Sequence, residues 1–200
     1  MPIARKDEIL SVEDYLKGEE TSEIKHEYVD GHAYAMAGAS PNHNMIAVNI
    51  VSEFRAHLKN SSCRPFASDI KVKTPVGSYR YPDVLVVCDD DFIDGGYVTQ
   101  TPTIIVEVIS KSTRKTDEQI KRMEYINIPT LKEYVIIEQD YVDVAVFRKS
   151  DDWRPTNYFL GDDIHFESID LTLSVEEIYR SVQNDDMAEF LEKKKKEAEQ

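Results

Sequence analysis

Cysteine is scarce in this chain, with two in 200 residues, Cys63 and Cys88. They lie far apart and in no CxxC or Cys/His pattern, so neither a zinc site nor a disulfide framework is expected, and both are read as reduced thiols. Long apolar runs are missing too. No segment approaches the roughly 20 apolar residues that span a bilayer, and the opening MPIARKDEIL lacks the apolar stretch of a signal peptide, so a soluble, cytoplasmic protein with no membrane partner is expected. Positive charge is in deficit: 24 Lys+Arg stand against 38 Asp+Glu, a formal net charge of −14. That balance argues against a protein that holds nucleic acid by a broad basic surface. A phosphate-bearing substrate would need local help, from a divalent cation or a local basic patch. Internal repeats and low-complexity linkers are absent as well.

What is present suits one globular domain. Hydrophobic residues make up 41% of the chain and aromatics 10%, enough for a core. The domain is expected over 1–182, with 183–200 a charged, frayed helical tail (LEKKKKEAEQ at its end) that serves solubility. Ser11 with Asp14 three residues on opens a short helix in the manner of a capping box. Asp30-Gly31 between short runs rich in Tyr, Val and Ala marks a hairpin near 27–37. Ser40-Pro41 then starts an amphipathic helix over 41–59, with Ala47, Ile50, Val51, Phe54 and Leu58 at helical spacing. Strands are expected over 66–76 and 79–87, paired antiparallel about Gly77-Ser78, and over 103–109 after a loop containing Asp89-Asp90-Asp91. A helix over 112–127, with Thr116 and Gln119 at capping-box spacing, stops at Pro129. Strands at 133–138 and 142–148 form another hairpin about Gln139-Asp140. After a loop around Trp153, a strand near 163–167 and a short helix at 174–182 close the fold.

One residue is out of place in this pattern. Residues 104–110 read IIVEVIS, and a lone carboxylate at Glu107 inside a buried strand costs several kcal/mol unless it is paired, hydrogen-bonded or metal-bound. The preceding apolar strand also carries an acid, in Tyr81-Pro82-Asp83-Val84, and pairing of the two strands would bring Asp83 near Glu107. Two adjacent carboxylates repel unless a hard cation such as Mg²⁺ joins them. The plainer alternatives are an ion pair to Glu107 from a Lys or Arg, or an exposed strand end. Lys121, in the helix that follows, could return its amine to the carboxylates; alternatively it makes a surface i,i+4 pair with Asp117. Two acids and a lysine are the minimum for metal-assisted phosphodiester hydrolysis.

Pro82-Asp83 followed by Glu107-Val108-Ile109 in a strand resembles the signature of the PD-(D/E)XK nuclease superfamily. In that signature a lysine stands two residues after the acid, where this chain has Ile109. The longer pattern is similar to the Uma-two family of restriction-endonuclease-like proteins, in which the lysine has moved to the next helix. Its pieces run in order: Glu27 through Asp30-Gly31, His43, Tyr81-Pro82-Asp83-Val84, Pro102 with Val106-Glu107-Val108-Ile109-Ser110, Ser112-Thr113, Asp117, Lys121 and Tyr125, and Glu133-Tyr134. The match covers roughly residues 10–180.

The resemblance implies an α/β (α+β) fold with a restriction-endonuclease-like core. That core is a mixed central sheet flanked by helices, with an N-terminal hairpin and a long helix. It implies Asp83 and Glu107 as catalytic metal ligands, the backbone carbonyl of Val108 as a third ligand, and Lys121 as the catalytic lysine. The cofactor would be Mg²⁺ or Mn²⁺, and the reaction hydrolysis of DNA by an activated water, with inversion. Glu27 matches an accessory acidic position, although by itself it reads as a solvated strand acid. Asp117 would orient Lys121, and Tyr125 would wall the site. His43, at a helix start, reads as a capping or surface residue. Ser110 and Ser112 read as turn formers rather than phosphate contacts. Lys71, Lys73, Arg80, Lys111, Arg114, Lys115 and Arg122 are candidates for a local positive patch. By analogy with enzymes that cut both strands, a homodimer is expected. Two rival readings stand beside the nuclease: a catalytically silent nuclease-fold binding or regulatory module, and a hydrolase of another phosphate ester.

Overall fold

The computed structural model describes residues 9–89, 92–110, 114 and 116–199, without the side chains of 93, 94 and 116–118. Asp90, Asp91, Lys111, Ser112, Thr113 and Lys115, and the side chains of Thr116 and Asp117, therefore lie outside the described residues. The chain opens with α1 (Val12–Glu19), capped by Ser11, whose hydroxyl accepts from the Asp14 amide. Strands β1 (His26–Val29) and β2 (His32–Ala35) form the expected hairpin. Asp30 and Gly31 both sit at positive φ, 49° and 81°, as a tight turn matched to strand twist requires. Helix α2 (Pro41–His57) follows, with Pro41 in its first turn and the Ser40 side chain accepting from the His43 amide. It extends through a 3₁₀ turn at Leu58–Asn60.

The next strands are β3 (Cys63–Ala67), β4 (Lys71–Lys73), β5 (Tyr79–Arg80), β6 (Val84–Cys88), β7 (Phe92–Ile93), β8 (Val98–Thr99) and β9 (Pro102–Ile109). A π-helix at Thr116–Lys121 runs into α3 (Arg122–Tyr125). Beyond it come β10 (Glu133–Glu138), β11 (Val144–Arg148), β12 (Pro155–Tyr158), β13 (Asp163–Phe166), β14 (Leu171–Ser174), α4 (Val175–Ile178) and α5 (Asp185–Ala198). Among the described residues the strands form two six-stranded sheets, in the orders β2-β1-β5-β4-β8-β7 and β12-β11-β10-β9-β6-β3, and a β13-β14 ribbon. In the second sheet β9 pairs antiparallel with β6 and parallel with β10, so the sheet is mixed.

Every residue of β9 is buried. Strand alternation sends Ile104, Val106 and Val108 to one face, where Ile46, Ile50 and Phe54 of α2 and Leu58 of the 3₁₀ turn cover them. Ile105 and Ile109 go to the other face, with Leu85, Ile136 and the rings of Tyr125 and Tyr134. Glu107 shares that second face by the same alternation. No described helix is long and apolar enough to cross a membrane.

Four expectations change. The strands expected over 66–76 and 79–87 pair antiparallel, but each breaks in two. β3 and β6 lie in the second sheet, while β4 and β5 lie in the first. The break falls where Pro82 has no N–H for a ladder and Ser68 takes a left-handed φ of 52°, its amide bonding to the Asp83 carbonyl at 3.1 Å. The two cysteines are not free thiols: the β3–β6 register sets Cys63 opposite Cys88, and the pair forms a disulfide. Sequence separation concealed a cross-strand neighbour. β12 and β14 replace segments expected to be loop. The C-terminal helix is tied down at its start: Asn184 caps it, Met187 is buried, and the Asp186 carboxylate accepts from the Val142 amide at 2.7 Å.

Candidate active site

The β6–β9 pairing ends at Val84 opposite Val106, one residue short of Asp83 and Glu107. Asp83 continues from the start of β6, and its Oδ2 accepts from the Val108 amide at 2.7 Å. Both acids thus sit at the same end of this strand pair. Glu107 is 3% exposed, and among the described residues Lys121 Nζ at 3.2 Å and the Tyr125 hydroxyl at 3.0 Å both donate to its Oε1. Lys121 ends the π-helix, and Tyr125, four residues on, lies on the same helical face. Burial, then the nearby Glu107 and Glu27 charges, push the Tyr125 phenol well above its ordinary pKa, so it acts as a neutral donor.

Glu27 is not a solvated strand acid. Its side chain is 12% exposed, and its Oε1 lies 3.1 Å from Lys121 Nζ while its Oε2 accepts from Arg80 at 2.9 Å. The hairpin turns it inward because β1 pairs with β5, which carries Arg80. Arg80 in turn forks onto both oxygens of Glu124, at 2.8 and 2.7 Å. An uninterrupted chain of buried contacts therefore runs Glu124–Arg80–Glu27–Lys121–Glu107–Tyr125. Glu124 and the inward role of Arg80 escaped the sequence reading. Spacing held a signal for the first, since Lys121, Glu124 and Tyr125 at i, i+3 and i+4 share one face.

The members of the expected basic patch that fall among the described residues all have partners within the protein, while Lys111 and Lys115 lie outside them. Arg80 is locked in the chain just described, and Lys71 is 7% exposed with its amine 5.3 Å from the Tyr81 ring centre. Lys73 stands over Tyr79, Arg114 pairs with Glu138, and Arg122 lies over Phe147. His43 is a further correction: its amide is capped by Ser40 as a helix start requires, but its side chain reaches Asp83, with Nε2 3.2 Å from Oδ2.

Two carboxylates and a nearby carbonyl suit a hard cation such as Mg²⁺, which takes one or two carboxylates and keeps several waters. Among the described residues no group of three or more His, Cys, Asp or Glu is arranged to hold a metal, and this donor set falls below that number. Among the described residues Glu27, Glu107 and Glu124 pair with Arg80 and Lys121, while Asp83 lies beside His43.

The mixed sheet, the flanking helices and the α2–β9 packing define a restriction-endonuclease-like α+β protein. A crystal structure titled as a putative nuclease belonging to DUF820, from Anabaena variabilis, superposes with a TM-score of 0.69 at 16% identity, covering 81% of this chain and 93% of that one. Residues 12–176 match the Uma2 family, described as "putative restriction endonuclease", and the chain belongs to that family. Two Synechocystis relatives are similar along most of their length. The uncharacterized protein slr1290 is 36% identical, covering 86% of this chain and 93% of its own. The uncharacterized protein sll1609 is 31% identical, with 84% and 97% covered.

Proposed function

We propose that the protein is a divalent-metal-dependent endonuclease that hydrolyses DNA phosphodiester bonds. The observation that carries this reading is Lys121 Nζ at 3.2 Å from Glu107, supplied by the next helix where the strand itself offers Ile109. In this reading Asp83 and Glu107 hold Mg²⁺ or Mn²⁺. The Val108 carbonyl joins them: it lies on the same strand edge as the Val108 amide, and the register continued two residues past Val84 meets Pro82, which has no N–H to offer it. When bound, the cation would polarise the phosphate and lower the pKa of a water. Lys121 orients the attacking water and balances phosphate charge, while Glu27 holds that amine from its other side. Tyr125 fixes Glu107 and walls the site; an orienting role for Asp117 stays part of the proposal. The acting unit is a homodimer in the cytoplasm, although a disulfide is unusual in that compartment.

The test is cleavage of supercoiled plasmid and of single-stranded DNA with Mg²⁺, with Mn²⁺ and with chelator. Asp83→Ala and Lys121→Ala are run alongside. Metal-dependent nicking is expected for the native chain, with a loss of at least 100-fold in either variant. Cleavage no faster than in the variants would sink the enzyme. A second reading, a catalytically silent binding module, is favoured by one observation: Arg80 and Arg114, which a nucleic-acid ligand would use, are committed to Glu124, Glu27 and Glu138. DNA binding without cleavage would select it.

A further inference from the structure

His43 is a close neighbour of Asp83 with no part in the site as proposed. Its helix does not need the side chain, because the Ser40 cap engages only the His43 amide and Pro41 fills the first turn. The helix start is nonetheless fastened to the strand that carries Glu107. The Ser40 hydroxyl donates to the Gln139 side chain, and the Gln139 amide donates to the Ile109 carbonyl at 3.3 Å. The imidazole is therefore delivered to Asp83 by a braced element. At Asp83, Oδ2 accepts from the Val108 amide at 2.7 Å and has His43 Nε2 in charge-pair contact at 3.2 Å, and among the described residues no hydrogen bond is made to Oδ1.

We infer that His43 is a positioning residue for Asp83: together with the Val108 amide it pins Oδ2 and leaves Oδ1 as the oxygen offered to a cation. This rests on the metal-site reading above. Outer partners that orient a ligating carboxylate commonly contribute 10–100-fold in metal affinity. The inference is tested without DNA, by titrating Mn²⁺ against the native chain, Asp83→Ala, His43→Ala and His43→Gln, and following free Mn²⁺ by electron paramagnetic resonance. His43→Ala is expected to weaken Mn²⁺ binding about 10–100-fold. His43→Gln, which keeps an N–H donor at a similar reach, should recover most of the loss, while helix content and melting temperature stay near native in both.

Three outcomes overturn the inference. Native-like Mn²⁺ affinity in His43→Ala, with binding lost in Asp83→Ala, removes the positioning role and leaves the metal site standing. An imidazole-nitrogen coupling to bound Mn²⁺ in the native chain makes His43 a ligand instead. Failure of the native chain to bind Mn²⁺ takes down the metal site and the inference together.

Discussion

Glu107 is held in an all-buried strand by Lys121 and Tyr125, and Lys121 is held by Glu107 and Glu27. Cutting one link exposes the cost of the others. Lys121→Ala leaves Glu107 buried without the Lys121 amine, while Glu27 keeps Arg80, and is expected to destabilise the fold by about 3–5 kcal/mol, read as a lower urea midpoint. Adding Glu107→Gln should recover part of that loss, because an amide buried there carries no charge. Additive effects in the double variant would show that the pair is not coupled. Asp83 and Glu107 were legible in the sequence because each breaks an apolar alternation that only a partner can excuse. His43 was not: a polar residue in the first turn of a helix has a sufficient local explanation, and its contact with Asp83 spans 40 positions. Arg80 looked like surface charge because nothing in its own strand requires an acid.

Elements with a clean period were readable: α2, the Asp30-Gly31 hairpin, β9, and the β10–β11 hairpin, whose first strand begins at Glu133 as expected. Two features were not. The split of the β3–β6 region between two sheets follows from where ladder bonds stop, at Ser68 and Pro82, and the π-winding before Lys121 leaves no mark in a hydrophobic period. The Cys63–Cys88 bond belongs to the same class. It closes a loop of 25 residues' separation, and a cross-link of that span is worth about 3 kcal/mol in the unfolded state. Reduction, or the double variant Cys63→Ser/Cys88→Ser, is expected to lower the denaturation midpoint accordingly. An unchanged midpoint under dithiothreitol would argue against the bond's contribution.

Across the molecule, burial raises the phenols of Tyr15, Tyr81, Tyr125 and Tyr179 above their ordinary range, with neighbouring carboxylates adding to it. An unfolded chain loses these protons near pH 10, while the folded chain keeps them. Stability is therefore complete below about pH 10 and falls as pH rises beyond it, by about 1.4 kcal/mol per pH unit for each such tyrosine. Urea unfolding between pH 8 and 11 measures this directly. A flat profile would mean that the four rings are not held as described. The net charge of −14 acts in the same direction, since each tyrosinate adds to an existing excess of negative charge.

The hydrogen bond from the Val108 amide to Asp83 ties a single exchangeable proton to the state of that carboxylate. Deuterium uptake at that one position reads how firmly the carboxylate is held. It does so with no substrate, no turnover and no attached label, and it answers to His43 and to an added cation alike.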